Sequence, residues 1–403
     1  MLSFEEFIIL PNNNTMGYWE IISYIDLILF IIVAATVLYL AVFAIASLFS
    51  HHNEIPKARN QNRFIILIPA YKNGTGAEHS VLAALGQSYP QRLFDITVIS
   101  DHLDEVSNFR LAQQPVTLLT PNFAKSSRAK SLQLAINNLP QFKIYDIVVI
   151  LNAGNIVEPD FLERINDAYE SAGTKAIQAH RLSQNRDTAS ARLSATFEEI
   201  NNSIFRRGHI NIGLSSASAG SAMAFDFNWF KENIMTIDTV FDDKELEIRL
   251  LRQHIYVDYF DDIFVYEEKK RQAEEFNRQR RRWIASQFMN ILRNIHYLPG
   301  AIFTKHYNLM DKIIQWMLLP RLIMMAIIIF MGVIMPFIYF SLALKWWALF
   351  AFVLFIFALA TPNYLVDDKW DKTFYMVPLI FLSSIFSKTI FGKRLKAYTN
   401  QTL

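Results

Sequence analysis

The sequence predicts an α/β domain with a mostly parallel sheet, joined to a few α-helical transmembrane segments. Two observations support this fold class. Apolar strand-like runs alternate with helical runs between residues 63 and 151, which is typical of a parallel sheet flanked by helices. Three other stretches, at 27–50, 322–344 and 346–366, contain no charged residue. Each reaches the length of about 20 apolar residues that a membrane-spanning helix needs.

Basic residues predict the orientation of these spans. No Lys or Arg precedes the first span, whereas Lys57, Arg59 and Arg63 follow it. The positive-inside rule therefore places the N-terminus outside and the large central domain in the cytoplasm. No basic stretch or small-residue cleavage site precedes the first span, so we expect an anchor and not a signal peptide. The expected localisation is a multi-pass protein of the cytoplasmic (inner) membrane.

A fourth apolar run, at 373–387 within the segment 373–391, is too short to span comfortably, and a fourth crossing would place the basic tail outside. We expect this run to lie along the membrane interface or to re-enter. The predicted segments are an extracytoplasmic segment at 1–26, a transmembrane helix at 27–50, a cytoplasmic domain at 51–275, interfacial amphipathic helices at 276–318, transmembrane helices at 322–344 and 346–366, the interfacial or re-entrant run at 373–391 and a basic cytoplasmic tail at 392–403.

Composition excludes several classes of function. The chain has no cysteine, which excludes disulfides, thiolate metal sites and a cysteine nucleophile. A formal net charge of +2 gives no support for nucleic-acid binding. Neither the GxGxxG fingerprint nor the P-loop motif occurs. A transporter is disfavoured because the spans carry almost no charge, whereas the polar chemistry is concentrated in the central domain.

The central domain begins with four predicted strands and the helices between them. They are the strand "RFIILIPAY", the helix "HSVLAALGQS", the strand "DITVIS" ending at Asp101, the strand "QPVTLLT", the helix "SRAKSLQLAINNL" and the strand "DIVVIL". In such a sheet, ligands bind at the carboxyl ends of the strands. Further on come a small-residue stretch, "SSASAGSAMAF", and a helix that begins with acidic residues, "FDDKELEIRLLRQH".

Three acidic residues are candidates for chemistry. Asp101 follows a strand directly and could accept hydrogen bonds from a nucleobase or ribose, or could simply cap a turn or helix. Asp242 and Asp243 open a helix, where acidic residues commonly stabilise the helix N-terminus. The alternative is a general base whose pKa is set by its neighbour.

The segment "FNRQRRRWIASQFMNIL" combines an apolar helical stripe with three adjacent arginines, Arg280 to Arg282. A basic amphipathic helix on anionic lipid explains the stripe. Arginines beside Gln279 and Trp283 also suit a diphosphate and a stacked ring. Both interpretations can hold together, because the helix lies between the central domain and the spans.

Taken in order, these motifs resemble the membrane-embedded, inverting glycosyltransferases of family 2, which include cellulose, hyaluronan, chitin and poly-N-acetylglucosamine synthases. The resemblance extends over nearly the whole chain and is strongest to compact bacterial members. It rests on "IPAYKNG", "SDHLDE", "RAKSLQLAI", "GSAMAF", "FDDKELEIRLL" and "QRRRW". The last two correspond to the catalytic-base motif and the Gln-x-x-Arg-Trp motif of that family.

The resemblance implies a GT-A catalytic domain that takes part in polysaccharide biosynthesis at the cell envelope. The donor would be a nucleotide sugar, with a UDP-sugar expected, and the acceptor a glycan or a lipid-linked chain. Membrane lipids and a partner synthase subunit are further implied partners. Asp243 would be the general base, with Asp242 beside it. The implied donor- and acceptor-binding residues are Pro69, Tyr71, Asp101, Lys130, Gly220, Ser221, Gln279, Arg280, Arg282 and Trp283.

One family motif is missing. The family has Asp-x-Asp after the fourth strand, where it coordinates Mg²⁺ or Mn²⁺, and this sequence has Asn152, Ala153 and Gly154. The ion would stabilise the charge of the leaving nucleoside diphosphate, and divalent cations of this kind prefer charged oxygen ligands. Metal dependence is therefore doubtful, and no metal ligand is predicted with Asn152 and Gly154 in these positions.

Three explanations follow. Cationic side chains, namely Arg128, Lys130 and the arginine cluster, could neutralise the diphosphate in a metal-independent enzyme. Glu158 or Asp160, expected in the next helix, could instead reach a metal. Finally, the chain could be a catalytically impaired relative that binds a nucleotide sugar, a glycan or a partner synthase.

Overall fold

The computed structural model describes residues 18–49, 55–238, 242–269 and 273–366. The predicted run at 373–391, the tail at 392–403 and most of the N-terminal segment lie outside these residues. The chain divides into two compact units, one of residues 1–42 and 319–355 and the other of residues 43–318 and 356–403. We describe each unit by itself.

The larger unit is built on an eight-stranded sheet with the strand order β3-β2-β1-β4-β7-β6-β8-β5. Strands β1 to β4 run parallel to one another, β6 is parallel to β8, and β7 and β5 are antiparallel to the strands beside them. The strands are β1 Phe64–Tyr71, β2 Phe94–Asp101, β3 Thr117–Leu119, β4 Ile147–Ile150, β5 Asn155–Val157, β6 Ala176–Ser183, β7 Met223–Asp226 and β8 Val257–Glu267. The predicted mostly parallel α/β fold is confirmed.

Helices cover the sheet and extend beyond it. In the described residues they are α1 Tyr18–Ala46, α2 Gly74–Leu85, α3 Glu105–Ala112, α4 Arg128–Asn137, α5 Phe161–Ala172, α6 Ala189–Asn201, α7 Gly208–Asn211, α8 Phe227–Ile234, α9 Asp242–Arg252, α10 Ala273–Asn294, α11 Leu298–Phe303, α12 Tyr307–Met317, α13 Arg321–Ile338 and α14 Phe340–Ala360. A π-helical segment, Asn202–Arg207, joins α6 to α7.

Both faces of the sheet are buried, which explains the continuous apolar strands. Alternate side chains of β1 point to opposite faces, so that Phe64 and Ile66 enter one core and Ile65 and Leu67 the other. The first core also contains apolar residues of α2 and α5, and the second those of α4, α8 and α9. The sheet therefore lies between two helical layers and presents its strand ends at an edge.

The smaller unit contains most of three helices that are long and apolar enough to cross a membrane, α1, α13 and α14. The sequence separates the last two spans at Lys345, whereas in the structure they are separated at Tyr339 and Lys345 lies within α14. Lys345 pairs there with Asp26 of α1, whose other carboxylate oxygen accepts a 2.7 Å hydrogen bond from the Trp346 indole. Asp26 is 1% exposed. A paired charge of this kind is compatible with a helix in an apolar environment.

Candidate functional site

Two neighbouring strands end side by side at Tyr71 and Asp101, which are partners in the β1–β2 register. The residues that follow them, Lys72 and His102, have φ angles of 52° and 60°. Such left-handed conformations are strained for residues with a side chain and occur often at functional sites. The Tyr71 ring is 55% exposed and lies edge-on to the His102 ring at 5.8 Å. An exposed aromatic face at a strand end suits the stacking of a planar base.

Asp101 is almost fully buried, yet it caps no helix. The N-cap residue of α3 is Asp104, so the helix-capping alternative for Asp101 is wrong. Its Oδ1 accepts a hydrogen bond of 3.0 Å from the Ser126 hydroxyl and lies 2.6 Å from His102 Nδ1. The carboxylate is thus held at the strand end by groups on two loops. Its fixed position suits recognition of a polar ligand edge.

The loop of Asn152, Ala153 and Gly154 is fastened by its backbone to α2. The Ser80 hydroxyl donates to the Asn152 carbonyl at 3.2 Å and accepts from the Gly154 amide at 2.9 Å. The Asn73 side chain donates to the Ala153 carbonyl at 3.2 Å. Gly154 has a φ of 100°, which L side chains rarely adopt. The loop is therefore rigid, with backbone oxygens that already have hydrogen-bond donors.

This donor set does not fit a divalent cation. Asn152 offers one neutral side-chain oxygen, and Gly154 offers none. Glu158 and Asp160 lie in the turn before α5, not within the helix as the sequence predicted. Glu158 accepts a 3.0 Å hydrogen bond from Tyr266, and Asp160 pairs with Arg164. Within the described ranges, no cluster of three His, Asp or Glu side chains is arranged to hold a metal.

Gly220, Arg128 and the start of α9 form a tightly packed group. A Cβ atom added at Gly220 would lie 2.9 Å from the Asp243 Cβ and 3.2 Å from Arg128 Nη1. Arg128 donates to the Gly220 carbonyl and lies 3.3 Å from the Asp242 carboxylate. The β7 strand follows this loop antiparallel to β4, so the Ala222 amide bonds the Ile150 carbonyl at 2.9 Å. The acidic pair is thus brought to the end of β4.

The two adjacent acids have different environments. Asp242 is buried and Asp243 is half-buried. Burial raises the pKa of Asp242, Arg128 opposes that rise, and the charge of Asp243 adds to it. The backbone amides of Asp242 and Asp243 at the start of α9 lower the pKa of Asp242, as a helix N-terminus does for an acidic side chain. The less buried Asp243 is therefore the better candidate for proton transfer.

The remaining predicted residues are distributed as follows. Pro69 lies within β1, Lys130 is exposed in the first turn of α4, and the Ser221 hydroxyl is buried without a hydrogen-bond partner among the described residues. In α10, Gln279 and Arg282 are exposed and Trp283 is 44% exposed. The Arg280 guanidinium lies over the rings of Phe197 in α6 and of Trp283, at 4.2 and 4.7 Å. The Gln-x-x-Arg-Trp motif is thus anchored to α6.

A buried ionic network was missed by the sequence analysis. Arg181 of β6 pairs with Glu267 and, at 3.7 Å, with Glu198 of α6, and it donates to the Ala219 carbonyl at 3.3 Å. Burial would lower the pKa of Arg181, but these carboxylates hold it above its ordinary value, with a contribution from Asp243. The network joins α6 to the residue before Gly220. The sequence signal that could have revealed this network is a charged residue within a mostly apolar strand, Arg181, and another in the middle of a helix, Glu198.

The sequence of the chain matches one family along more than half of its length. The family described as glycosyl transferase family group 2 matches residues 147–364 of the 403. The chain belongs to this family. No curated protein matches the sequence at the significance required.

Solved structures resemble the fold. A mannosyltransferase from Pyrobaculum calidifontis, in complex with GDP-Man and Mn²⁺, aligns with a TM-score of 0.53 and 13% identity, covering 84% of this chain and 97% of that one. Residues 1–349 of S. aureus TarS align with a TM-score of 0.42 and 10% identity, covering 75% and 82% of the two chains. The family and the GT-A-like fold identify the protein as a glycosyltransferase.

Proposed function

We propose that the chain moves a sugar from a nucleotide-sugar donor to a glycan or lipid-linked acceptor, with inversion at the anomeric carbon. The observation that carries the proposal is the packing of Asp243 against Gly220, whose carbonyl Arg128 holds at the end of β4. Asp243 is only half-buried, so an acceptor hydroxyl could reach its carboxylate from the exposed side. Asp243 would take the proton of that hydroxyl.

In the proposed reaction, the acceptor oxygen forms a bond to the anomeric carbon as the bond from that carbon to the phosphate oxygen breaks. The electron pair of the broken bond leaves with the nucleoside diphosphate. The proton on Asp243 passes to solvent afterwards. A single in-line displacement needs one base and no covalent intermediate, which agrees with the absence of a second placed nucleophile in our assignment.

Tyr71 and Asp101 would hold the nucleoside, because they lie side by side at the ends of adjacent strands. Tyr71 provides an exposed ring and Asp101 a fixed carboxylate. The solved mannosyltransferase was determined with GDP-Man, so both GDP- and UDP-sugars are candidates for the donor. Arg128 is engaged with Asp242 and Gly220. The exposed cations Lys130 and Arg282 are then better placed to meet the charge of the diphosphate.

We infer that the reaction takes place at a membrane. The three apolar helices and the buried Asp26–Lys345 pair support this inference. The exposed Phe288 and Leu292 of α10, which are 64% and 65% exposed, support contact of this helix with lipid. The positive-inside rule would place the catalytic unit in the cytoplasm.

The test is nucleotide release by the full chain in lipid nanodiscs, with UDP- and GDP-sugars and with Mn²⁺, Mg²⁺ or EDTA. Asp243→Asn is the catalytic variant, and Glu232→Gln, an exposed acid on α8, is its matched control. Release that survives EDTA and disappears only in Asp243→Asn would support a metal-independent transferase. Release absent from all variants, with nucleotide binding retained, would favour the catalytically impaired alternative. Release that requires Mn²⁺ would contradict our interpretation of Asn152 and Gly154.

A further inference from the structure

Glu247 lies one turn after Asp243 on α9, and its side chain is completely buried. Its carboxylate accepts hydrogen bonds from three donors on three segments. The Ser218 backbone amide lies at 2.6 Å, Lys312 Nζ of α12 at 3.0 Å and Lys244 Nζ at 3.1 Å. Carboxylates that accept several charged or backbone donors are held firmly in one place.

The charges of this group are paired inside the protein. Burial would raise the pKa of Glu247, but Lys244, Lys312 and the Ser218 amide lower it to about 2. Burial lowers the pKa of Lys312, and Glu247 opposes that change. Lys312 is only 1% exposed. Breaking such a pair by removing one partner leaves an uncompensated buried charge, which is strongly unfavourable.

The same group fixes the loop that faces the proposed base. Lys244 Nζ also donates to the Ser218 carbonyl at 2.9 Å, so α9 side chains hold both backbone groups of Ser218. Ser218 precedes Gly220 by two residues, and Gly220 lies against the Asp243 Cβ. The loop is therefore attached to α9 at two points, by hydrogen bonds at Ser218 and by packing of Gly220 against Asp243. Glu247 and Lys244 thus hold the loop to α9 at Ser218, while Arg181 and Arg128 hold it at Ala219 and Gly220.

Lys312 connects these contacts to α12. Its ammonium donates to Gln315 at 2.7 Å, and the Gln315 amide donates to Asp311 at 2.7 Å. Asp311 lies 3.3 Å from the Nε2 atom of His209, a ring that is fully buried and stacks on Phe43 at 3.6 Å. Because the Lys312–Glu247 pair is buried away from water, a shift of α12 would also displace Glu247. Residues 318–320 then lead in sequence from α12 to α13.

We propose that Glu247 and Lys312 are positioning residues, which hold the small-residue loop at the distance from Asp243 that an acceptor sugar requires and which make that distance depend on α12. This inference rests on the proposed function. Neither residue needs to contact the donor or the acceptor. Their loss displaces the acceptor relative to the base, and water then competes better for the donor.

The experiment compares sugar transfer to acceptor with hydrolysis of the donor by water, in the full chain in nanodiscs. The variants are Lys312→Met, which preserves side-chain bulk, Glu247→Gln and the double variant. Lys305→Asn is the matched control, since Lys305 is exposed in the turn before α12 with a φ of 56°, which Asn tolerates. The ratio of transfer to hydrolysis does not depend on the fraction of protein that is folded.

We expect the ratio to fall about tenfold to a hundredfold in Lys312→Met and Glu247→Gln, as small misplacements of reacting groups do, and to stay at the wild-type value in Lys305→Asn. The acceptor KM should rise more than the donor KM. The double variant should lose less than the product of the single losses, because the two residues act through one pair. An unchanged ratio in both single variants would overturn the inference. A wild-type protein without transfer would instead refute the proposed function.

Discussion

Substitution of Gly220 by alanine tests the geometry of the site most directly. The added Cβ would lie 2.9 Å from the Asp243 Cβ and 3.2 Å from both Asp243 Oδ2 and Arg128 Nη1. Gly220 also has a φ of 78°. The substitution therefore combines a left-handed backbone that alanine resists with a contact closer than packed atoms allow.

The two effects can be separated by a second glycine. Gly213 has a φ of 80°, but an added Cβ there would meet nothing within 4 Å. We expect Gly213→Ala to lower the free energy of unfolding by about 1–2 kcal/mol, from the left-handed conformation alone. Gly220→Ala should lose that amount and about 1–3 kcal/mol more from overpacking. The difference between the two variants measures the contact with Asp243 and Arg128.

Activity should separate the two variants further. Displacement of Asp243 by a fraction of an ångström to 1 Å should lower kcat by up to about a hundredfold in Gly220→Ala, whereas Gly213→Ala should keep its rate when folded. Thermal unfolding in nanodiscs and nucleotide release at a permissive temperature measure the two quantities. Equal stability losses and equal rates in both variants would refute the packing of Gly220 against the proposed base.

Three further results are expected. Arg128→Met removes the cation that counters the burial of Asp242, so the Asp242 pKa should rise further. The native state should then lose more stability than the wild type as the pH rises from acidic to neutral, with Arg128→Lys between, in pH-dependent thermal unfolding. An equal pH dependence in Arg128→Met and the wild type would argue against this pairing. Burial raises the pKa of Asp258 from 3.8 to about 6. Ionisation of Asp258 therefore lowers the free energy of unfolding. This loss begins as the pH rises above 3.8 and is complete above about 6. Asp258→Asn should then stabilise the protein by up to about 2 kcal/mol at pH 7.5 and by less at pH 5, in pH-dependent thermal unfolding. Gly154→Asp should lower the free energy of unfolding by about 1–2 kcal/mol because of its φ of 100°, and should leave turnover unresponsive to Mn²⁺; a Mn²⁺-stimulated rate would show that the loop can still form a metal site.

The first half of the sheet was predictable from the sequence because its strands are uninterrupted apolar runs. β1 and β2 begin and end within one residue of the predicted bounds. Helix α2 begins at Gly74, earlier than its apolar spacing suggests, because the Asn73 side chain caps the Gly76 amide. Two glycines in the first turn conceal this helix start, since glycine disfavours helices in isolation.

The second half of the sheet was not predictable from pattern alone. Strand β8 contains Asp258, Asp261 and Asp262, residues that are depleted in strands. Asp261 pairs with Arg207, and Asp262 pairs with Arg164 at 2.7 Å. Tertiary contacts therefore compensate for an unfavourable local sequence. The small strand β7 was recognised only as a stretch of small residues, because its place beside β4 depends on residues distant in sequence.

The candidate site was predictable as a set of residues but not as an arrangement. The sequence identified Asp101 and Asp243, while Arg181, Glu247 and Lys312 carried no local motif. Buried charges depend on partners that are distant in sequence, as in the 65 positions between Glu247 and Lys312. Arg128 was expected near a diphosphate, and the structure places it on Asp242 and Gly220.

The pairing of Asp26 with Lys345 constrains how the protein is made. The two residues are separated by 319 positions, so a ribosome synthesises α1 and residues 43–318 of the larger unit before it reaches the partner of Asp26. If α1 enters a membrane as we propose, Asp26 has no partner there until Lys345 is synthesised. An unpaired carboxylate disfavours deep insertion of the helix. Stable insertion of α1 would then depend on the later synthesis of α14. Truncation before α14 should consequently leave α1 poorly retained in the membrane, even though residues 43–318 have already been synthesised.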